Sequence, residues 1–515
     1  MQKKRRNAFD KFSTLLFGKD LRITEGEPYK AVRDFDFSSY YPEDKYIKNQ
    51  DAPVENVFDI RDFGADIKNE DNAPFINSAI DAAGKTGGTV MISGGDFVCS
   101  TVTLKSGVTL FICKDSSISA NETGVGYEDK KVLVYAENAE NITLTGGGKL
   151  KGNGNFFGRK PLYDKNVTEP YPYIDVIDMR REYRAQLRFA HPSKYGGVIE
   201  FNKCKNITVD NFIIENSAHW TFKITNSSDL IIKNFIIHNN RNVANADGID
   251  ISGTSNIDIS HCFISTADDG IVLKNAIWLK SSGAMKNINI DDCEIISRTN
   301  AVKIGTETTY DISDVTISNS SLFMTDLYPG SVSGISIEAC DGSVVSRINI
   351  HDIKMNRCTC PLFIRLGNRN RAAEVNEQSA NAIEFAEKGK GNAAAGRKMF
   401  DGKSEVKDII VKNVTAQNVE LPIIIAGYKQ KGKIKRVQNV LLENIDVEYA
   451  DIPETVDKRF FIPEYAKVYP ECWRFRNLPA YFLWVRHAEN IKLKNVNCRH
   501  SRETWKKEKI FIDVK

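Results

Sequence analysis

The chain has 515 residues, with 70 Lys and Arg against 67 Asp and Glu, a formal charge of +3. That balance gives no global field to draw nucleic acid or an anionic membrane surface, and no apolar run reaches the eighteen or so residues of a membrane-spanning helix. Neither kind of partner is expected, and the oligomeric state stays open. The ten cysteines have no metal-ligand spacing beyond a lone Cys358-Thr-Cys360. Cys204, Cys262 and Cys293 are expected at one phase of a repeat, as small buried residues would be.

Met1 to Arg6 is basic, but Asn7-Ala8-Phe9-Asp10-Lys11 is charged and amphipathic where a signal peptide would turn apolar. A cytoplasmic location is expected, or a periplasmic or secreted one if a signal has been removed. Residues 1–55 carry charges and aromatics without sustained period. With Tyr40-Tyr41-Pro42 as a turn or extended stretch, they read as an arm packing on a body formed by residues 56–515. From Val57 the pattern sharpens. Val57-Phe58-Asp59-Ile60 reads as a strand and Phe63 to Asp66 as a turn. Ala73 to Ala83 places Phe75, Ile76, Ala79, Ile80 and Ala83 at the spacing of an amphipathic helix, ended by Gly87-Gly88. Short strands follow at 89–92, 97–100, 102–104, 108–112 and 117–119.

A repeat dominates the rest. A unit near Asn-Ile-x-Ile occurs at Asn141, Asn206, Asp229, Asn256, Asn287, Asp314, Arg347, Asp408, Asn439 and Asn490. Steps of 23, 27, 31 and 27 residues separate the central units. A period of this size, built from short strands and polar turns, marks a solenoid whose rungs bury one another's apolar faces. The unit contains no helical segment, so an all-β, right-handed parallel β-helix is favoured over a leucine-rich-repeat type of solenoid. A second strand recurs at Ile249-Asp250-Ile251, Ile271-Val272-Leu273, Val302-Lys303-Ile304, Ile335-Ser336-Ile337, Leu362-Phe363-Ile364 and Ile423-Ile424-Ile425. Alternation points the middle residue of each outward. One outward row then holds Asp250, Val272, Lys303, Ser336 and Phe363. The next holds Ser252, Lys274, Gly305, Glu338 and Arg365, a face suited to an extended polymer. Two insertions break the rhythm beside it. Residues 366–406 are polar and aperiodic, and 451–482 are dense in aromatics, as a packed lid would be.

Acids gather where two of these second strands begin. Asn245-Ala246-Asp247-Gly248 precedes the first, and Asp268-Asp269-Gly270 the second. If the copies stack, Gly248 falls on Gly270, and Asp247 and Asp269 occupy equivalent positions on strands about 4.8 Å apart. For any one of them an Asx-turn before Gly explains the residue. Three at one phase of a repeat point to a site, because carboxylates that close repel one another.

These residues, together with Phe63-Gly64-Ala65, Leu104-Lys105-Ser106-Gly107-Val108-Thr109-Leu110, Glu215-Asn216-Ser217-Ala218-His219-Trp220 and Ile304-Gly305-Thr306-Glu307, resemble the polygalacturonases and their relatives in glycoside hydrolase family 28. The resemblance spans roughly Val57 to Val496. It implies a right-handed parallel β-helix and an inverting hydrolase that uses neither metal nor cofactor and takes an oligo- or polysaccharide substrate. By resemblance Asp268 matches the general acid, and Asp247 and Asp269 match the pair that positions and deprotonates water. Inversion calls for carboxyls roughly 6.5–9.5 Å apart, with room for that water.

Departures from the pattern bear on specificity. Asn300, in Thr299-Asn300-Ala301, stands where the family has a histidine. Ser336-Ile337-Glu338 stands where polygalacturonases carry Arg-Ile-Lys to hold a uronate carboxylate, which removes two cations and adds an anion. Lys303 and Arg365 on adjoining rungs either compensate, or Arg365 bridges Glu338 in a ladder that Lys274 joins. The substrate-facing candidates are Asn245, Asn300, Lys303, Glu307, Glu338 and Arg365, with His219 and Trp220 as a second-ranked sugar-facing pair. The expected activity is hydrolysis of a pectin-like or otherwise acidic plant or algal polysaccharide fragment. A β-helical polysaccharide lyase and a non-catalytic carbohydrate-binding solenoid are the alternatives.

Overall fold

Each repeat begins with a corner that only a few residue types turn easily. The Asn, Asp or Arg that opens each of the ten units has φ between 54° and 61°, the left-handed region that Asn and Asp tolerate best. Their side chains also bond along the stack. Asn287 Nδ2 donates to Asn256 Oδ1 at 3.0 Å, Asn256 to Asp229 at 2.9 Å, Asn439 to Asp408 at 2.7 Å and Asn490 to Asn439 at 2.9 Å. The next residue of each unit turns inward, and Ile142, Ile207, Leu230, Ile257, Ile288, Val315, Ile348, Ile409, Val440 and Ile491 lie in one register column. The chain is a right-handed parallel β-helix. Its computed structural model describes residues 41–127, 130–154, 196–241, 243, 245–324, 331–371, 401–449, 462–475, 478–500 and 504–515. Asn287→Ala should destabilise it by roughly 1–2 kcal/mol, because alanine pays for the left-handed φ and loses the ladder bond. Asn287→Gly should recover most of that loss in a denaturant titration, and equal losses for the two would show that backbone strain is not the cause.

The N-terminal end of the solenoid is capped by the helix Ala73–Ala83, which buries Ala73, Ile76, Ala79, Ile80 and Ala83. It ends at Gly84, short of Gly87-Gly88. The amide of Gly84 still reaches Ile80 O, but Lys85 and Thr86 tighten onto Ala82 O and Ala83 O. Gly87, at φ 68°, then turns the chain into the strand Gly88–Ile92. Cys262 and Cys293 do stack in register. Cys204 does not share their phase; it lies at an earlier corner, its amide on Ser227 Oγ, because the strand of Cys204's rung starts only at Lys205.

The first outward row runs Asp250, Val272, Lys303, Ser336, Phe363 and continues through Ile424 and Trp484. It is not open throughout. Cys472, Phe475 and Leu478 of the second insertion pack with Phe363, Ile424 and Trp484 in one apolar cluster, so the C-terminal rungs of this face are roofed. Of the first insertion, residues 372–400 lie outside the described residues. On another face Tyr46 and Ile47 pack on Ile213, Ile236, Phe263 and Ile296, and Tyr41 OH donates to Glu215 Oε1 at 3.0 Å. No helix among the described residues is long and apolar enough to cross a membrane.

Candidate active site

The acids owe their positions to close stacking of two rungs. A Cβ on Gly248 would meet Gly270 O at 2.3 Å, and one on Gly270 would meet Ala301 O at 2.5 Å, which is why each acidic pair or single acid is followed by glycine. Gly248 N donates to Asp269 O at 2.9 Å and Ile249 N to Gly270 O, and the strands Ile249–Ser252 and Ile271–Asn275 then run in register. Asp247 and Asp269 are thus rung neighbours, 3% and 5% exposed, while Asp268 is half-buried beside them. The three carboxyl groups each offer an oxygen within 4.8 Å of the others. That is closer than the separation expected for an acid and a base straddling a bond and its water. It is the span of a single water bridging two acceptors, since two bonds of about 2.7 Å at a tetrahedral oxygen reach about 4.4 Å. Oxygens this close also suit a hard divalent cation, but two lysines already supply counter-charge to the trio.

Those lysines divide the acids. Lys274 Nζ lies 2.5 Å from Asp250 Oδ1 and 3.3 Å from Asp247 Oδ2, with the Trp220 ring centroid 3.9 Å away. Burial, aided by the Asp250 carboxylate, still pushes Asp247 well above the usual carboxylate range against the pull of Lys274. Burial likewise raises Asp250 to about 6. Asp269 goes the other way. Burial opposes its ionisation, but Lys303 and Lys274, with hydrogen bonds from Asn300 and Thr299, hold it below the usual value. Lys303 Nζ lies 3.4 Å from Asp269 Oδ2, Asn300 Nδ2 donates to Asp269 Oδ1 at 2.7 Å, and Thr299 Oγ1 lies 2.7 Å from the same oxygen and 2.9 Å from Asp268 Oδ1. The site therefore holds one carboxyl pushed toward its neutral form beside one kept ionised.

Several candidates lie elsewhere than their sequence positions led one to expect. Arg365 and Glu338 are register partners but form no bridge. Glu338 is fully buried and accepts from Thr306 Oγ1 and Ser336 Oγ, each at 2.6 Å. The Arg365 guanidinium, also buried, donates to Gly427 O and Glu464 O, both at 2.6 Å. Its long side chain reaches away from Glu338, to carbonyls of the following rung and of the second insertion that sequence spacing could not place there. Lys274 does not join such a ladder, because Asp250 on the preceding rung is nearer. Neither Glu338 nor Arg365 lines an accessible surface. Lys303 and Asn300 are buried behind the acids, each 1% exposed. Asn245 is exposed on a left-handed turn. His219 and Trp220 are half-buried with rings stacked 5.3 Å apart, at the rim and not in the core. Glu307 lies 3.1 Å from Arg371 and 3.6 Å from Arg369. These charges, with those of Lys274 and Lys303, outweigh burial and hold Glu307 below the usual range.

Sequence reasoning missed the lid's own contribution. Tyr469 OH lies 3.1 Å from Lys303 Nζ, and Glu471 Oε1 3.7 Å from it; burial raises Glu471 to about 8. Arg369 and Arg371 went unassigned too, although Arg371 sits 5.3 Å over the Trp278 ring. The aromatic density of 451–482 and the run Gly-Asn-Arg-Asn-Arg were the signals available.

Comparison with known proteins agrees with this architecture. The chain is 23% identical over 333 residues to Polygalacturonase QRT2 of Arabidopsis thaliana, covering 63% of this chain and 68% of that one. It is 25% identical over 308 residues to an endo-polygalacturonase of Pectobacterium carotovorum subsp. carotovorum, covering 56% and 70%. Among solved structures, the family 28 exopolygalacturonase of Yersinia enterocolitica superposes with a TM-score of 0.59 at 16% identity, covering 90% of this chain and 78% of that one. The exopolygalacturonase of Thermotoga maritima gives 0.58 at 19%, covering 79% and 91%. These similarities establish the shared β-helix. The model of glycosyl hydrolases family 28 matches residues 85–387, more than half of the chain, and the chain therefore belongs to that family of glycoside hydrolases.

Proposed function

We propose that this enzyme hydrolyses a glycosidic bond in a pectin-like or otherwise acidic polysaccharide fragment with inversion, and that it selects the sugar at the cleavage point differently from a polygalacturonase. The observation that carries hydrolysis is the meeting of three carboxyl groups within 4.8 Å, with one raised by burial and another kept ionised by lysine; inversion is taken from the family resemblance and not from that spacing. Asp268, the most exposed of the three, protonates the leaving oxygen. Asp269 and Asp247 hold one water between them. The pair takes the proton as the water attacks, Asp269 being kept ionised by the lysines and Asp247 contributing once it is ionised. The altered choice of sugar is supported by the strand Ser331–Ala339, which offers no cation where a uronate carboxylate would be held.

The test is incubation with a panel of pectic and algal oligosaccharides, with products read by mass spectrometry and the first-formed anomer by NMR. A product heavier by water and inverted at the anomeric carbon is expected. An unsaturated product would mean a lyase, no product a binding protein, and a retained anomer would reassign the water-bridging pair.

Lys274→Met gives a pH signature. With the cation gone, burial acts unopposed on Asp247 and Asp250, so both carboxyls rise further. The acidic limb of kcat/KM against pH should shift to higher pH, with activity partly recovered on the alkaline side. An unmoved limb would separate Asp247 from the proton transfer.

A further inference from the structure

We propose that the groove is closed at one end and that the enzyme removes units from a chain terminus instead of cutting within a polymer, a reading that rests on the hydrolase function above. The outward row is accessible on the N-terminal side of the acids, where Lys223 and Glu200 are half-buried and paired with each other at 3.0 Å and where His219 and Trp220 form the rim. In this row accessibility ends at the acid rungs, where Asp250 is 1% and Val272 0% exposed, and it does not return on the C-terminal side. Lys303 is 1% exposed, and Ser336, Phe363, Ile424 and Trp484 beyond it are 0–1% exposed. Rungs are about 4.8 Å apart, so the wall stands one rung from Asp269.

The roof is anchored in a way that resists displacement. Arg486 donates to Ile462 O at 2.6 Å and Pro463 O at 2.7 Å, and Arg365 to Glu464 O, so two buried guanidinium groups hold three consecutive carbonyls. Cys472, Phe475 and Leu478 are each 1% exposed in the cluster with Phe363 and Trp484. Lifting the segment would strand both cations and expose that cluster, a cost no passing polymer repays. The face of the wall is polar. Tyr469 OH and Glu471 Oε1 meet Lys303, the Arg369 guanidinium lies 5.5 Å from the Tyr469 ring centroid, and Glu471 Oε2 is buried with no hydrogen-bond partner. That oxygen is placed to bond a hydroxyl of the terminal sugar.

The experiment follows reducing ends and viscosity together as the full chain digests the polymeric forms of the pectic and algal panel. Expected are reducing ends released with viscosity nearly unchanged, and a product of one or two units from the start. A rapid fall in viscosity with a ladder of oligomers overturns the closed end while leaving hydrolysis intact. No product from any polymer or oligomer overturns both. Glu471→Leu removes both oxygens at similar size, and should raise KM for short oligosaccharides about tenfold with a smaller change in kcat. An unchanged KM removes Glu471 from the wall's contact with the terminal sugar.

Discussion

Asp268→Asn is expected to lower kcat by roughly 10²- to 10⁴-fold, the range a positioned acid or base supplies, while leaving thermal stability unchanged or slightly raised. The backbone around it is over-determined. Thr266 Oγ1 and Ser297 Oγ both donate to Asp268 O at 2.7 Å, and an asparagine keeps the side-chain oxygen that accepts from Thr299. The substitution also removes a carboxyl that raises Asp247, so it relieves crowding among the three acids and should not weaken the fold. Activity near that of the unaltered enzyme would remove Asp268 from the acid role. A large fall in melting temperature would show that its charge is structural.

The solenoid was legible because one column of it is written in a four-residue code. The left-handed corner restricts its first position to Asn, Asp and an occasional Arg, the inward position next to it demands a branched aliphatic, and both constraints recur at each of the ten units. The helix Ala73–Ala83 was legible for the same reason, its period fixing which side is buried, while its end at Gly84 depended on where hydrogen bonds tighten. The clustering of Asp247, Asp268 and Asp269 followed from placing two copies of one strand in register. What could not be read is whatever crosses from an insertion to a rung. Arg365 and Glu338 sit side by side in the register, as their spacing required, yet each is satisfied by a different neighbour: hydroxyls one rung away and on its own strand for Glu338, carbonyls 62 and 99 residues on in sequence for Arg365. The roof over Phe363 and Trp484 has the same origin. An outward position in an isolated rung becomes core once a distant segment covers it, and no periodicity announces that.

Lys303→Met is expected to lower kcat about 10²-fold for acidic and neutral substrates alike, with a smaller effect on KM. From its place on the outward row, Lys303 was a candidate to meet a uronate carboxylate, and removing it would then weaken acidic sugars only. Its surroundings favour a different role. It is buried 3.4 Å from Asp269 Oδ2, and Glu471, raised by burial to about 8, leaves Asp269 as the principal anion facing it at neutral pH. Breaking a buried ion pair by removing one partner costs roughly 3–5 kcal/mol, and here the stranded partner is a carboxylate that binds the attacking water. Without Lys303, burial drives Asp269 toward its neutral form, so the acidic limb of the rate should move up in pH. The sign of the stability effect follows from the same shift. A carboxyl held below its unfolded value stabilises the fold fully above that value, about 3.9 for aspartate, and the contribution disappears as pH falls through the folded value. The stability lost in Lys303→Met should therefore be greatest at neutral pH and shrink as the pH falls into and below the carboxylate range. Selective loss of affinity for acidic sugars, with kcat and the acidic limb unmoved, would return Lys303 to the substrate and leave Asp269 held by Asn300, Thr299 and Lys274.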